Sequence, residues 1–333
     1  MQAMRAGRAR FGFGCVRLGS ASAGGSWRAH VRLVERAIDE GITTFDTADA
    51  YGSGVSERIV GKAVHRRRAE VQIATKSGYL FTERSLAGQS AARAARSVAQ
   101  HARRQRPGSD AGSSGGGTGS ASYERQDFSP GYLRKAIESS LRRLDTDYID
   151  VLQLHGPRQV VPGIIDEVDQ LKAAGKIRRF GVGAESLASA KAWLQVAGVD
   201  TLQVPFGVLD PQAATEIFPL AVELGVDVWV RGVLGGGLLS LADAGNERVR
   251  SDDKFPLIQD LAMIARRADV SVFRLAVDFV RSFPEVSTVL IGIQSDRHLD
   301  DNLAIMDAPP IEQSVIDEVY EVLARWVGDH EQL

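Results

Sequence analysis

The chain alternates short apolar, β-prone runs with longer stretches of helical periodicity over most of its 333 residues, and this pattern leaves few folds open. Strands are expected at Ile42–Phe45, Val71–Thr75, Tyr148–Leu154, Ile177–Val182, Thr201–Val204, Val226–Val230 and Ser287–Ile291, with Arg10–Leu18 as a short hairpin or a first strand. Helices are expected at Trp27–Glu40, Ser53–Val64, Pro130–Leu144, Val161–Ala174, Leu187–Val196 and Gln212–Leu224. Further helices are expected at Leu257–Arg267, Val272–Ser282, Arg297–Ala304 and Glu312–Trp326. Gly41 is placed to end the first helix, and Ser129-Pro130 reads as an N-cap followed by proline at the first helical position. Roughly eight βα units in series favour an α/β fold closed as a (β/α)8 TIM barrel over an open doubly wound sheet. An open sheet would also want a glycine-rich phosphate loop after its first strand. Gly12-Phe13-Gly14 lacks the third glycine and the helix that should follow it. Residues 1–333 therefore read as a single barrel domain, and 44% hydrophobic residues suffice for its core.

One stretch breaks the alternation. Gly78–Asp127 is too long for an ordinary βα connection and forms an insertion after the third strand. Within it, Gln89–Arg106 is rich in Ala and Arg and suggests a basic helix. Pro107–Ser122 is a Gly/Ser-rich segment that has no means of building a core and is expected to be disordered. Because the insertion leaves the barrel just after Lys76, it reads either as a substrate-side lid or as a solvated excursion. As a lid, its run Arg93, Arg96, Arg103, Arg104 and Arg106 would attract an anionic substrate.

Three polar residues stand at the ends of apolar runs: Asp46 after Ile42–Phe45, Lys76 after Val71–Thr75, and His155 after Tyr148–Leu154. Tyr51 follows Asp46 by a short turn. In a parallel barrel the C-terminal strand ends converge on one mouth. A carboxylate, a phenol, an ammonium and an imidazole would meet there, a set suited to acid catalysis on a carbonyl. A carbonyl accepts hydride readily only if its oxygen is protonated or strongly hydrogen-bonded as charge develops. A free tyrosine, with a pKa of about 10, is a weak acid at neutral pH, and a neighbouring ammonium lowers that value. Lys76 would do this for Tyr51, and Asp46 would hold Lys76 charged and in place.

Composition narrows the alternatives. A net charge of −2 does not read as a nucleic-acid binder. No apolar run approaches the ~18 residues of a membrane span. Cys15 is the only cysteine, which excludes an intrachain disulfide and fits a cytoplasmic location. The six histidines show no metal-ligand spacing, so no metal site is expected.

The stretches FDTADAYGSGVSERIVGKAV, ATKSG, SLRRLDTDYIDVLQLHGP, GKIRRFGVG and IGIQSDRHLDDNL occur in an order that resembles the aldo-keto reductases. The resemblance covers most of the chain outside the insertion. It implies a catalytic tetrad of Tyr51, Asp46, Lys76 and His155, with Tyr51 as general acid and His155 orienting the carbonyl. It also implies a nicotinamide dinucleotide, with NADP(H) favoured and NAD(H) possible, extended across the barrel mouth. Gly292, Ser295, His298, Asp301 and Asn302 would hold its adenosine phosphate end, with Arg297 beside His298 as a second phosphate ligand. Gln203 matches the family's amide contact to the nicotinamide. Where many members have a Ser-Asn pair, this chain has Gly183-Ala184, which offer no side-chain bonds. Where an aromatic commonly stacks on the nicotinamide, it has Arg231, which could stack, bind an anion or pair with a carboxylate at the rim. Gly232, Leu234 and the run Gly235–Gly237 follow, either wrapping the pyrophosphate or forming a plain turn.

The leading expectation is NADPH-dependent reduction of an aldehyde or ketone, such as a keto-sugar or a secondary-metabolite carbonyl, to an alcohol. The partner would be a small-molecule substrate, with no nucleic acid or membrane, and the oligomeric state is left open. The alternatives are a nicotinamide-binding regulatory subunit with little turnover, and a sugar dehydrogenase working in the oxidative direction.

Overall fold

The computed structural model describes residues 10–19, 25–82, 125–242 and 246–330. The expected basic helix Gln89–Arg106 and the Gly/Ser-rich Pro107–Ser122 lie outside these residues.

Eight strands close into a parallel barrel in chain order. They are β1 (Arg10–Gly14), β2 (Thr44–Asp46), β3 (Gln72–Ser77), β4 (Ile149–His155), β5 (Ile177–Gly183), β6 (Thr201–Pro205), β7 (Asp227–Arg231) and β8 (Val286–Gly292). β1 pairs in parallel with both β2 and β8, so the N-terminal segment is a barrel strand and completes the ring. The helices are α1 (Trp27–Asp39), α2 (Val55–Val64), α3 (Pro130–Leu144), α4 (Ile164–Ala173), α5 (Leu187–Leu194), α6 (Ala213–Glu216) and α7 (Phe218–Glu223). They continue with α8 (Leu238–Leu241), α9 (Glu247–Arg250), α10 (Phe255–Arg267), α11 (Val272–Arg281), α12 (Asp296–Asp307) and α13 (Gln313–His330).

Helix starts follow local chemistry. Ser26, Ser129, Ser186, Ser271 and Ser295 each cap a helix by accepting a backbone N–H bond at its first turn. One expected helix is broken: Gln212–Leu224 is α6 and α7, separated at Ile217. Pro219 has no N–H to carry the helical ladder across that point. The glycine-rich turn after β7 also holds more structure than expected, with a 3₁₀ turn at Gly235–Gly237 followed by α8 and α9.

Several strands run further toward the mouth than their apolar runs suggest. Lys76, His155, Gly183 and Arg231 lie inside β3, β4, β5 and β7. Alternate residues of a barrel strand face inward. The interior is plugged by Ala74, Val151, Trp229 and Leu290, which form their own buried cluster. Two residues further along the same strands stand Lys76, Gln153, Arg231 and Gly292. The plug is apolar and three of the four residues above it are polar, so the functional mouth begins one layer above an apolar core.

The opposite end of the barrel is clamped electrostatically. Tyr148 is sandwiched between Arg68 and Arg178, at 3.9 and 3.8 Å from its ring centroid. Asp150 bonds both guanidinium groups, at 2.6 Å to Arg68 and 2.9 Å to Arg178, and also accepts from Ile73 N at 2.9 Å. Removing one partner of such a pair leaves charge without compensation. Asp150→Ala is expected to cost about 3 kcal/mol of stability, measured by urea unfolding, with little effect on the mouth.

Candidate active site

Asp46 ends β2, and the chain keeps pairing with β3 beyond it. Thr47 N donates to Ala74 O (2.8 Å) and Asp49 N to Lys76 O (3.0 Å). A tight turn follows, with Tyr51 N bonded to Ala48 O and Ser53 N to Ala50 O. Ser53 (φ 58°) and Gly54 (φ 89°) take left-handed conformations that reverse the chain into α2. This turn holds Tyr51 above β3, with the Lys76 Nζ 5.3 Å from its ring centroid.

Lys76 and Asp46 are both buried. The ammonium donates to both carboxylate oxygens at 2.6 Å and to Thr47 O at 3.2 Å. Burial alone would discharge Lys76, but the Asp46 carboxylate and Tyr51 together outweigh it and hold the lysine above its ordinary pKa. Tyr51 contacts His155 edge to face, with centroids 5.6 Å apart and planes at 83°. Burial, followed by repulsion from Lys76 and Arg231, pushes His155 well below its ordinary value, so the imidazole is neutral at physiological pH. Its Nδ1 is buried without a hydrogen-bond partner.

Tyr51 corrects one sequence expectation. Lys76 does pull its phenol toward ionisation, but burial works the other way and prevails, with Asp46 adding to it. The net shift is upward, so Tyr51 keeps its proton at neutral pH. The structure thus brings all four expected tetrad residues to one mouth.

Sequence reasoning missed the amide relay beneath them. Gln203 Nε2 donates to Asp46 Oδ1 and to Gln153 Oε1, each at 3.1 Å. Gln153 precedes His155 by two residues and so shares its strand face. A polar residue inside an apolar strand was the available signal.

The residues expected at the cofactor lie around the same rim. Gly183 packs beside Lys76, where an added Cβ would sit 3.7 Å from its Cδ and Cε. Arg231 donates to Ala184 O at 3.1 Å and, among the described residues, forms no ion pair with a carboxylate. The rim ion pair that the sequence left open is therefore not its arrangement. Gly232 (φ 76°) and Gly237 (φ 96°) are left-handed, and a Cβ on either would meet nothing within 4 Å. Half-buried Leu234 accepts from Gly237 N (2.9 Å) within this turn. On α12, the Ser295 hydroxyl accepts from His298 N (3.3 Å) as the N-cap. Asn302 Nδ2 donates to His298 O (2.6 Å), while Asn302 Oδ1 is buried and unpartnered. Asp301 lies 3.9 Å from Arg297 across one helical turn. Gly292 is exposed at the end of β8, with open space where a Cβ would stand.

The family model for the aldo/keto reductase family matches residues 10–324. The chain belongs to the aldo/keto reductase family. It is 28% identical over 314 residues to the aldo-keto reductase YhdN of Bacillus subtilis (strain 168), covering 87% of this chain and 83% of that protein. It is 27% identical over 331 residues to pyridoxal 4-dehydrogenase of Microbacterium luteolum, covering 92% of each. Among solved structures, the holo form of aldo-keto reductase AKR11C1 from Bacillus halodurans superposes with a TM-score of 0.71 at 26% identity, covering 94% of this chain and 91% of that one.

As an aldo/keto reductase, the protein is an NAD(P)H-dependent oxidoreductase. The residues on the rim fit a nicotinamide dinucleotide. Gln203 Oε1 and Asn302 Oδ1 are buried acceptors without partners, one beside the tetrad and one on α12. The open glycines at 232, 237 and 292 leave room for close backbone approach, and the capped N-terminus of α12 favours an anion.

Asp46→Asn would leave the buried Lys76 ammonium without its counter-charge. Turnover is expected to fall at least a hundredfold, and the Lys76 pKa to drop, as read by the pH dependence of its chemical labelling.

Proposed function

We propose that this aldo/keto reductase reduces a small-molecule aldehyde or ketone to an alcohol with NADP(H), using Tyr51 as the general acid. The supporting observation is the meeting at one mouth of the Tyr51 phenol, the His155 imidazole edge to face with it, and a Lys76 ammonium 5.3 Å from the Tyr51 ring and bonded to both Asp46 oxygens; burial favours a protonated phenol and a neutral imidazole there. A substrate carbonyl oxygen between Tyr51 and His155 meets a phenol O–H and a neutral imidazole N–H. Both stabilise the negative charge that grows on that oxygen. As Tyr51 releases its proton, the phenolate forms beside the Lys76 ammonium, where its charge is stabilised. Asp46 keeps that ammonium charged, and Gln203, itself bonded to Gln153, donates to Asp46. The nicotinamide, when bound, supplies the hydride.

On this reading Gln203 accepts from the carboxamide, and Arg231 lies against the nicotinamide end in place of the usual aromatic. Gly232, Leu234 and Gly237 line the pyrophosphate. Gly292, Ser295, His298, Asp301 and Asn302 hold the adenosine end, with Arg297 and His298 as the cations nearest its phosphate. Those two cations favour NADP(H) over NAD(H).

Similarity to a pyridoxal 4-dehydrogenase, and to the glycerol dehydrogenase AKR11B4 of Gluconobacter oxydans (TM-score 0.71, 25% identity, 96% of this chain and 92% of that one), favours a second reading, in which the oxidative direction is used. Oxidation needs Tyr51 as the phenolate, which burial disfavours, so alcohol oxidation would strengthen at alkaline pH.

Two tests follow from the site. Tyr51→Phe is expected to lower carbonyl reduction at least a thousandfold while cofactor affinity, read by quenching of protein fluorescence, changes less than threefold; substantial turnover in that variant would refute the acid role. The second concerns His155, whose folded pKa lies below its unfolded value of about 6.5. The unfolded chain therefore binds the extra proton first as pH falls. Stability is intact above about pH 6.5 and declines below it, by at most about 1.4 kcal/mol per pH unit from this group. Urea unfolding between pH 7.5 and 5 is expected to show that slope and to lose part of it in His155→Asn.

A further inference from the structure

The turn that carries Tyr51 straddles the tip of β3. Tyr51 stands on the inner side, near Lys76 and against His155. Asp49, two residues earlier, donates its backbone N–H to Lys76 O at 3.0 Å. Its carboxyl goes the other way, into the company of Ser77, Glu57 and Arg143. Alternate residues of a strand face opposite sides, so Thr75 and Ser77 leave β3 on the side away from Lys76.

Behind β3 these side chains form a buried polar pocket between the strand and helices α2 and α3. Glu57 of α2 is fully buried, and its oxygens accept from the Thr75 hydroxyl and from Arg143 Nε, each at 2.6 Å. Arg143 of α3 also donates to Ser140 Oγ at 3.0 Å. The turn is tied to the same layer by Thr47 Oγ1, which donates to Ser56 Oγ (2.8 Å), and by Ser56 Oγ, which donates to Cys15 O (3.0 Å). Asp49 is 1% exposed, and neither of its carboxyl oxygens meets a donor in good geometry.

The pocket thus holds two carboxyls, and Arg143 Nε is committed to Glu57. Burial first, and then the Glu57 charge, raise Asp49 well above the usual carboxylate range. Arg143, Ser77 and the Ala50 amide favour its charged form and are outweighed. Tyr132 of α3 also faces Asp49, and burial and that carboxyl push its phenol up to about 12. An Asp49 that keeps its proton has an O–H to give. Ser77 Oγ, buried and otherwise without a partner, can take it.

Resting on the reading of Tyr51 as the acid, we propose that Asp49 is a positioning residue for the reaction: its carboxyl anchors the turn on the outer side of β3 and so fixes Tyr51 near Lys76 on the inner side. Asp49 acts through Tyr51 and stands apart from the reacting atoms. Without the anchor the turn keeps its backbone bonds but loses its hold beside Ser77, and a small misplacement of the acid is costly in rate.

Asp49→Ala is expected to lower kcat for carbonyl reduction about tenfold or more, with cofactor affinity changed less than threefold. Asp49→Asn, which keeps the shape and a donor, should restore most of that loss. The place of Tyr51 is read without turnover from the alkaline rise in tyrosinate absorbance, taken as the difference from Tyr51→Phe. That signal should appear above the ordinary pKa of about 10 in wild type and in Asp49→Asn, and move toward it in Asp49→Ala as the phenol gains water. Urea unfolding reads the state of Asp49. Its folded pKa exceeds its unfolded value of about 3.9, so its contribution to stability is present below that pH and is lost as pH rises. The margin by which Asp49→Asn exceeds wild type should therefore widen from about pH 4 upward. Unchanged kcat and an unchanged Tyr51 titration in Asp49→Ala, an Asp49→Asn as impaired as Asp49→Ala, or a margin that grows in favour of wild type would each overturn the inference. Should Asp49→Ala fail to fold, Ser77→Ala removes the partner instead. It should lower kcat about threefold and shift the Tyr51 titration the same way, and no effect on either would overturn the anchor. A wild type that reduces no carbonyl would remove the reductase reading, while the Tyr51 titration would still decide whether Asp49 places the phenol.

Discussion

The ion pair between Lys76 and Asp46 is the interaction on which the rest of the site depends. Two charges taken out of water are tolerated only when each is fully bonded. Here the ammonium has two carboxylate oxygens and one carbonyl, and the carboxylate has the Gln203 amide as well. The pair sits one layer above the apolar plug of Ala74, Val151, Trp229 and Leu290. That plug excludes water from below and lends the charge above it its reach. The neutral state of His155 follows from burial first and then from that charge, while at Tyr51 burial raises the phenol and the charge opposes it. Arg231 adds a second positive group on the same rim, anchored on Ala184 O, which lowers His155 further.

Much of this was legible in the sequence because strand periodicity is local. An apolar run ending in a single polar residue marks a strand whose tip faces a mouth, and Asp46, Lys76 and His155 each carry that mark. The barrel itself followed from the number of βα units and the absence of a phosphate loop. Helix boundaries were legible where serine caps or glycine stops fixed them, as at Ser129 and Gly41. They were not where a proline interrupted an apolar pattern, as at Pro219, or where glycines hid short helices after β7.

The remainder depended on distances that no linear pattern records. The sign of the Tyr51 shift is a contest between burial and a neighbouring ammonium, and only geometry weighs the two. Gln153 and Gln203 are 50 residues apart and meet through barrel closure. Tyr79 and Glu185 are 106 residues apart and bond over the end of β4, where Gln126 also donates to the backbone of His155. A glycine at 156 reads as a turn residue in the sequence. In the fold its missing side chain is what admits the Glu185 carboxylate close to the backbone beside His155.

The most direct test of the account is the pH dependence of kcat/KM for carbonyl reduction in the wild type and in Lys76→Met. Reduction should stay flat through neutral pH and decline only on the alkaline side as Tyr51 ionises. The residual activity of the variant should break at still higher pH, since Lys76 opposes the effect of burial. A wild-type break near neutrality, or the same break in both proteins, would contradict the claim that burial and Lys76 together set the acid.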